Sequence, residues 1–430
     1  MSAPAAPEAP ARIRRARGGT LILGGGFAGA YVARLLGASG ATIVSPESTM
    51  LYTPLLPEVA AGSIEPRHAV IPLRMMCPRA ELILGKARSI DEQARRVTVE
   101  TASGVAQVEY DDVVIALGAR ARMLPIRGLA EHGIGFKNLA DAIGLRNHVL
   151  AKLEAADADP ENAERYLTFV FVGAGYAGVE ALAELTDLVH DALPHYPNLD
   201  RAQQRWVLVD GGTHVLKEAP KRLSDYAAAH LRRRGVDIRL ETTLAAVDAE
   251  SVTLSDGSRL ASETLVWTAG VTPNPLVGEL GLPLGERGRI KVDESLRVEG
   301  RSNVWSLGDC ADVPNRATPN RTDPPTCQHA LRQARRLAKN LAAAEATPYK
   351  YRSIGQGATL GRDKGIADAM GVKLRGGLGA LFTRTYHVYQ LPLRSRRARV
   401  VTDGILSARF GRDMAPLGVM QRSFETNQPA

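Results

Sequence analysis

Cysteine is scarce in this chain. Cys77, Cys310 and Cys327 are its three cysteines, too few and too scattered for a disulfide framework or a Cys-x-x-Cys metal site, so no metal centre is expected. Such usage points to a reducing compartment, the cytoplasm. Long uncharged runs are also missing: no stretch reaches the roughly 18 apolar residues that a membrane-spanning helix needs. No apolar run precedes Arg12, Arg14, Arg15 and Arg17, so a secretory leader is not expected, and residues 1–17 read as a flexible basic tail. Aromatic residues make up only 5% of the chain, whereas 45% hydrophobic and 23% charged residues are ordinary for two or three globular domains. The net charge of +8 is partly local, with Arg394, Arg396, Arg397 and Arg399 in one short stretch. No nucleic-acid-binding module accompanies them, so nucleic acid is not an expected partner. An anionic membrane surface is the better candidate, and a solvated basic face the ordinary alternative.

Glycine, by contrast, is abundant and placed. Residues 20–33 read TLILGGGFAGAYVA: a buried strand, then Gly24, Gly26 and Gly29 at G-x-G-x-x-G spacing as a helix begins. The first glycine permits a tight turn, the second leaves the backbone open to a pyrophosphate, and the third lets the helix pack on its strand. The pyrophosphate would rest on the positive helix end. A lone turn of this kind is a weak signal, but LTFVFV (167–172) is followed by Gly173, Gly175 and Gly178 at the same spacing. Two dinucleotide sites in one chain imply two dinucleotides that must meet. No cysteine pair lies in the helix after the first turn, which argues against a redox-active disulfide.

The remaining pattern completes two such units. ATIVS (41–45) is a second strand, where either Ser45 or Glu47, or both, would meet an adenosine ribose. Residues 51–62 carry two prolines and cannot be one regular helix. Residues 79–109 form a meander, and DVVIALG (112–118) closes the first half. A helix over 139–156, a polar linker over 156–165, a helix over 178–192 and a strand ending at Asp210 belong to the second unit, which ends at TLVWTAG (264–270). NVWSLGD (303–309) and a helix over 332–344 return to the first. The fold class is therefore α/β, two Rossmann-like dinucleotide-binding units with the second inserted in the first. Leu378, Leu381, Phe382, Tyr386 and Tyr389 share a helical stripe, which suits either a membrane interface or a packed core.

In sum these motifs resemble the type II NADH dehydrogenases, the single-subunit FAD-containing NADH:quinone oxidoreductases. The resemblance runs over about residues 20–418 and rests on the order and spacing of TPLLPEVAAG (53–62), VFVGAGYAGVE (170–180), WTAGVTPNPL (267–276), SLGDCAD (306–312), PPTCQHA (324–330) and GATLGR (357–362). It implies non-covalent FAD in residues 18–138 and 286–345, NADH in 139–285, and a membrane-associating segment over 346–430. Gly24, Gly26, Phe27, Ala28 and Gly29 would take the FAD pyrophosphate. Ala87, Ala116, Gly118, Gly308 and Cys327 would line the cofactor, and Asp309 would bond its ribityl chain; a helix cap is the alternative for Asp309. Gly173, Gly175, Tyr176, Gly178 and Gly270 would hold NADH, with Asp210 on its ribose 2′-hydroxyl disfavouring NADPH. Glu180 would act as a catalytic residue, orienting the nicotinamide carboxamide and supplying a proton, although a carboxylate in a first helical turn also suits the dipole alone.

On the acceptor side the family pattern is roughly A-Q-x-A-x-Q. Gln328 matches as a donor beside flavin and quinone, while Arg332 stands at the second glutamine. Residues 384–418 resemble the membrane-binding tail but lack its tryptophans, with Gly404 among the replacements. The resemblance thus implies peripheral association with the cytoplasmic face of the inner membrane, an anionic lipid surface, NADH and a membrane quinone as partners, and a homodimer as an open possibility. The rivals are a soluble NAD(P)H-dependent flavoprotein reductase with another acceptor, a sulfide:quinone oxidoreductase using Cys310 and Cys327, and a redox sensor with little turnover.

Overall fold

In the computed structural model, residues 12–319, 321–353 and 355–418 are described. The chain forms two compact units, residues 1–50, 71–120 and 272–352 in the first and 51–70, 121–271 and 353–430 in the second. The segments of the two units alternate along the sequence, and the last segment of the second follows the last segment of the first.

The first unit is built on an eight-stranded sheet. Thr20–Leu23, every residue buried, lies at its heart, parallel to Thr42–Ser45 on one side and Asp112–Ile115 on the other. Val304–Ser306 adds in parallel beyond Asp112–Ile115, and Glu81–Asp91 beyond Thr42–Ser45. Strands buried on both faces read as continuous apolar runs, which is why they could be found without alternation. Glu81–Asp91, Arg96–Thr101 and Gly104–Glu109 then run antiparallel as the expected meander. Helices Phe27–Leu36 and Cys327–Leu341 pack together.

Two expectations for this unit need correction. Arg12–Arg15 is not a flexible tail: it is a strand parallel to Gly104–Glu109, and Arg15 pairs with Asp111 at 2.8 Å. Residues 1–11 of that expected tail lie outside the described residues. The backbone of an edge strand is the template here, a signal that side-chain composition does not carry. The helix expected from 332 begins at Cys327, because Thr326 Oγ1 accepts the His329 N–H and caps it there.

The second unit has a five-stranded, fully parallel sheet in the order Gly133–Gly135, Thr264–Trp267, Thr168–Val172, Arg205–Val209, Val236–Arg239. Phe169 and Phe171 are fully buried, and Trp206 stacks on Phe169 with ring centroids 4.4 Å apart. A capping box between Asn138 and Asp141 starts the Leu139–Ala158 helix. The linker expected over 156–165 is largely helical, since that helix runs to Ala158 and Ala163–Leu167 forms another. A three-stranded antiparallel sheet, Gly355–Thr359, Gly365–Ala369 and Val372–Gly376, leads into helices Gly377–Gln390 and Arg394–Phe410. Among the described residues no helix is long and apolar enough to cross a membrane.

Candidate functional site

Each glycine of the first turn answers a different constraint. Gly24 has φ 113°, and a Cβ there would stand 2.3 Å from the Ala116 carbonyl oxygen. A Cβ on Gly29 would stand 2.0 Å from the Gly24 carbonyl, so the helix reaches its strand only without one. At Gly26, the N-cap of Phe27–Leu36, nothing among the described residues lies within 4 Å of an added Cβ. The second turn repeats this: Gly173 has φ 112°, a Cβ on Gly178 would stand 2.0 Å from the Gly173 carbonyl, and Gly175 faces open space. Two positions are therefore dictated by backbone packing. The middle glycine is not, and open space over a helix N-terminus is what a pyrophosphate needs.

Around the first turn, Ser45 is buried and its hydroxyl accepts the Glu47 N–H at 3.3 Å, while Glu47 itself is exposed. Ala87 lies on the meander strand paired with Val99. Phe27 stacks on Tyr31, and Ala28 lies 3.0 Å from where a Gly308 Cβ would be. Gly118 (φ 68°) faces open space, and Asp309 is half-buried in a turn at Gly308–Cys310. The long helix that follows is capped by Thr326, which removes the capping alternative for Asp309.

Sequence reasoning missed Gln333. Its Oε1 accepts the Gly308 N–H at 2.8 Å and its Nε2 donates to Asp323 at 2.9 Å, so a buried amide anchors the turn carrying Asp309. Cys327 and Gln328 open the helix one turn away, and the Tyr351 hydroxyl meets Gln328 Oε1 at 3.5 Å. Arg332 lies over the Tyr351 ring, 5.4 Å from its centroid. Cys310 is fully buried with its thiol 3.6 Å from the Ile115 carbonyl, and burial pushes its ionisation up, which makes it a packing residue rather than a nucleophile. It is not disulfide-bonded, and neither is Cys327.

In the second unit Asp210 closes the glycine turn. Its two oxygens accept the N–H groups of Ala174 and Gly212, each at 2.7 Å. Gly270 (φ 90°) faces open space, and the Tyr176 hydroxyl donates to Gln356 at 2.6 Å. The Tyr176–Ala192 helix then places Glu180, Glu184, Asp187 and Asp191 at i, i+4, i+7 and i+11, a stripe of four carboxylates on one face. Glu180 accepts the Thr359 N–H at 2.8 Å. Glu184, with no exposed side-chain surface, pairs with Arg412 at 2.7 Å and with Arg384 at 3.2 Å. Asp187 takes Arg234 at 2.5 Å and the Arg362 N–H at 2.7 Å, and Asp191 takes the Arg362 guanidinium.

A fifth carboxylate faces this stripe from the short helix Leu56–Ala60, which packs against it. Glu58 is buried, and its Oε2 has no hydrogen-bond partner among the described residues. Burial first, and then the charge of Glu184, pushes Glu58 up to about 7. Burial and Glu58 likewise hold Glu180 well above the ordinary carboxylate range. Burial would raise Glu184 too, but the guanidiniums of Arg412 and Arg384 outweigh it and keep that carboxyl low. The cluster therefore separates into an ionised, paired half and a half that tends to hold protons. Of these acids Glu180 stood out in the sequence, and nothing local announced the others or their partners.

Glu58 also lines a cavity of about 320 Å³ with Leu55, Ile64, Val388, Val400 and Val401. Arg384, His387 and Arg412 supply its polar wall, and Gly404 leaves part of it bare. Burial, aided by the Arg384 charge, lowers His387 to about 4, so the ring is neutral near pH 7. Beyond the cavity, Leu378, Leu381, Phe382, Tyr389, Ile405, Leu406 and Phe410 are exposed, up to 76% at Phe410.

Two nucleotide turns, each with an open middle glycine, each following a strand flanked by parallel neighbours, define a dinucleotide-binding flavoprotein fold. The pyridine nucleotide-disulphide oxidoreductase family matches residues 19–334. Similar proteins include a probable NADH dehydrogenase of Dictyostelium discoideum, 30% identical over 87% of this chain and 85% of that one. Another is the type II NADH:quinone oxidoreductase Ndh of Mycobacterium tuberculosis, 30% identical over 86% of this chain and 84% of that one. In fold the chain is similar to NDH2 from Plasmodium falciparum in complex with NADH, with a TM-score of 0.84 and 18% identity over 92% and 99% of the two chains. The chain belongs to the pyridine nucleotide-disulphide oxidoreductase family and, within it, to the type II NADH:quinone oxidoreductases.

Proposed function

We propose that this chain oxidises NADH with a non-covalently held FAD and delivers the electrons to a membrane quinone. The observation that carries the reading is the pair of glycine turns in which Gly26 and Gly175 face open space at helix N-termini. Gly24, Gly26, Phe27, Ala28 and Gly29 would cradle the FAD pyrophosphate, with Ala87, Ala116, Gly118, Gly308, Asp309, Cys327 and Gln328 around the remainder and Ser45 or Glu47 near the ribose. Gly173, Gly175, Tyr176, Gly178 and Gly270 would hold NADH. Each Asp210 oxygen accepts one N–H and so retains lone pairs for a ribose hydroxyl. The same charge repels a 2′-phosphate. When bound, FAD supplies a carrier that takes hydride from nicotinamide and passes electrons onward. The protein's share is alignment, with Glu180 held by Thr359 to orient the nicotinamide.

A quinone acceptor is supported by the names of the relatives and by the cavity of apolar wall and sparse polar groups. A sulfide donor is not favoured, since Cys310 is buried and hydrogen-bonded to backbone. The exposed apolar residues of Gly377–Gln390 and Arg394–Phe410, next to exposed Arg394 and Arg399, support peripheral binding to an anionic membrane surface, which this reading puts on the cytoplasmic face. Each surface arginine would add about 1 kcal/mol. Anaerobic addition of NADH should bleach the yellow protein, and a short-chain quinone should restore the colour. Failure of NADH to bleach it, or of quinone to re-oxidise it, overturns the corresponding half of the reading.

A further inference from the structure

Reducing a quinone to a quinol takes two electrons and two protons. NADH gives up a hydride, which carries both electrons and one proton, so the second proton must come from water through the protein. The cavity offers few groups that could hand it over. A guanidinium is no acid at neutral pH, the hydroxyls of Ser63, Thr385 and Ser407 can only relay a proton, His387 is neutral near pH 7, and Leu55, Ile64, Val388, Val400 and Val401 have nothing to donate.

We propose that Glu58 is the proton donor of this cavity, passing its carboxyl proton to a reduced oxygen of the bound quinone, with His387 as the second polar contact. The proposal rests on the quinone reading above. In the step the Glu58 O–H bond breaks as a quinol O–H bond forms, and water then reprotonates the carboxylate. Glu58 is 5% exposed and its Oε2 has no partner among the described residues, an arrangement that costs free energy unless a ligand or a proton completes it. His387, whose Nδ1 likewise has no hydrogen-bond partner among the described residues, lines the same cavity. Two polar side chains, Glu58 and His387, on one largely apolar wall suit a ring that carries oxygens.

Charge around Glu58 favours the protonated form. The groups that face it are Glu180 and Glu184 from the Tyr176–Ala192 helix, Arg362 across the cavity, Arg384 and His387 from Gly377–Gln390, and Arg412 beyond the last helix. The Arg384 and Arg412 guanidiniums are engaged by Glu184, so Glu58 feels a carboxylate neighbour whose counter-charges are already taken. An acid poised close to neutrality is the useful kind at neutral pH. A second cavity of about 370 Å³ shares Ser63, Ile64, Ser407 and Arg412 with the first and is lined by Glu65, Asp403 and Asp413. This polar chamber is the route by which water would reach Glu58.

The test compares wild-type holoenzyme with Glu58→Gln and Glu58→Asp, using a short-chain quinone. Glu58→Gln should lower kcat for quinone by about 100-fold, slow quinone reduction far more than flavin bleaching by NADH, and remove the limb near neutrality from the pH profile. Glu58→Asp should keep that limb. Infrared spectra of the holoenzyme should show a protonated-carboxyl band that titrates near neutrality and is lost in Glu58→Gln. A Glu58→Gln protein that matches wild type with quinone across the neutral range overturns the proposal alone, as does equal slowing of both halves. A wild type bleached by NADH that reduces no quinone overturns the acceptor reading, and the proposal with it.

Discussion

Glu184 and Arg412 form an ion pair at 2.7 Å in which neither side chain has more than 1% of its surface exposed. The pair ties the chain beyond the last helix to the middle of the Tyr176–Ala192 helix. Arg412 also approaches Asp187 at 3.4 Å and Asp191 at 3.5 Å. Removing the cation would leave the fully buried Glu184 with Arg384 alone, at 3.2 Å, and breaking a buried pair from one side costs up to about 3–5 kcal/mol. Arg412→Met should therefore lower the denaturation midpoint sharply, and adding Glu184→Gln should recover part of the loss. If Arg412→Met unfolds at the wild-type denaturant concentration, the pair contributes nothing to stability.

The Glu58 carboxyl makes stability depend on pH in a defined direction. Its folded value, about 7, lies above the ordinary 4.5, so between these pH values the folded protein binds the extra proton. Stability from this group is complete below pH 4.5, falls as pH rises, and is lost above about 7, on the order of 3 kcal/mol in all. Glu58→Gln should flatten that part of the curve in urea titrations at stepped pH. An unchanged slope would show that Glu58 titrates normally.

The glycines of each turn should separate by phenotype. Gly26→Val projects into open space, so the variant should fold with near wild-type stability and purify colourless. Gly29→Ala meets the Gly24 carbonyl at 2.0 Å and should instead destabilise the fold by roughly 1–3 kcal/mol. Flavin absorbance per protein and thermal melting read the two effects. Full FAD occupancy in Gly26→Val would refute the placement of the first cofactor.

Membrane binding should be peripheral, salt-sensitive and dependent on the exposed faces of the last two helices. Ile405→Ser with Phe410→Ser removes two residues exposed by 63% and 76%. The double variant should sediment about tenfold less with anionic vesicles, and added salt should release the wild type as well. Equal binding by variant and wild type would move the contact elsewhere on the surface.

Much of the architecture was legible from local pattern. The runs at 20–23 and 168–172 are buried on both faces, and the glycine spacing after each marks a turn whose geometry is local. Less could be read where the signal was a distant partner. Arg12–Arg15 looks like a basic tail until the open edge of Gly104–Glu109 is beside it. Gln333 looks like one more polar helix residue until it meets the Gly308 N–H. Arg412, in a stretch that reads as surface, is one of the most deeply buried charges.

The amino-acid order alone therefore determined two nucleotide turns and the strands that carry them, because steric limits on φ and on Cβ act between neighbours in the chain. Only tertiary structure decided which of the acids at 58, 180, 184, 187 and 191 are paired and which tend to hold a proton. Ionisation depends on desolvation and on cations brought from residues far along the chain, and neither is present until it has folded.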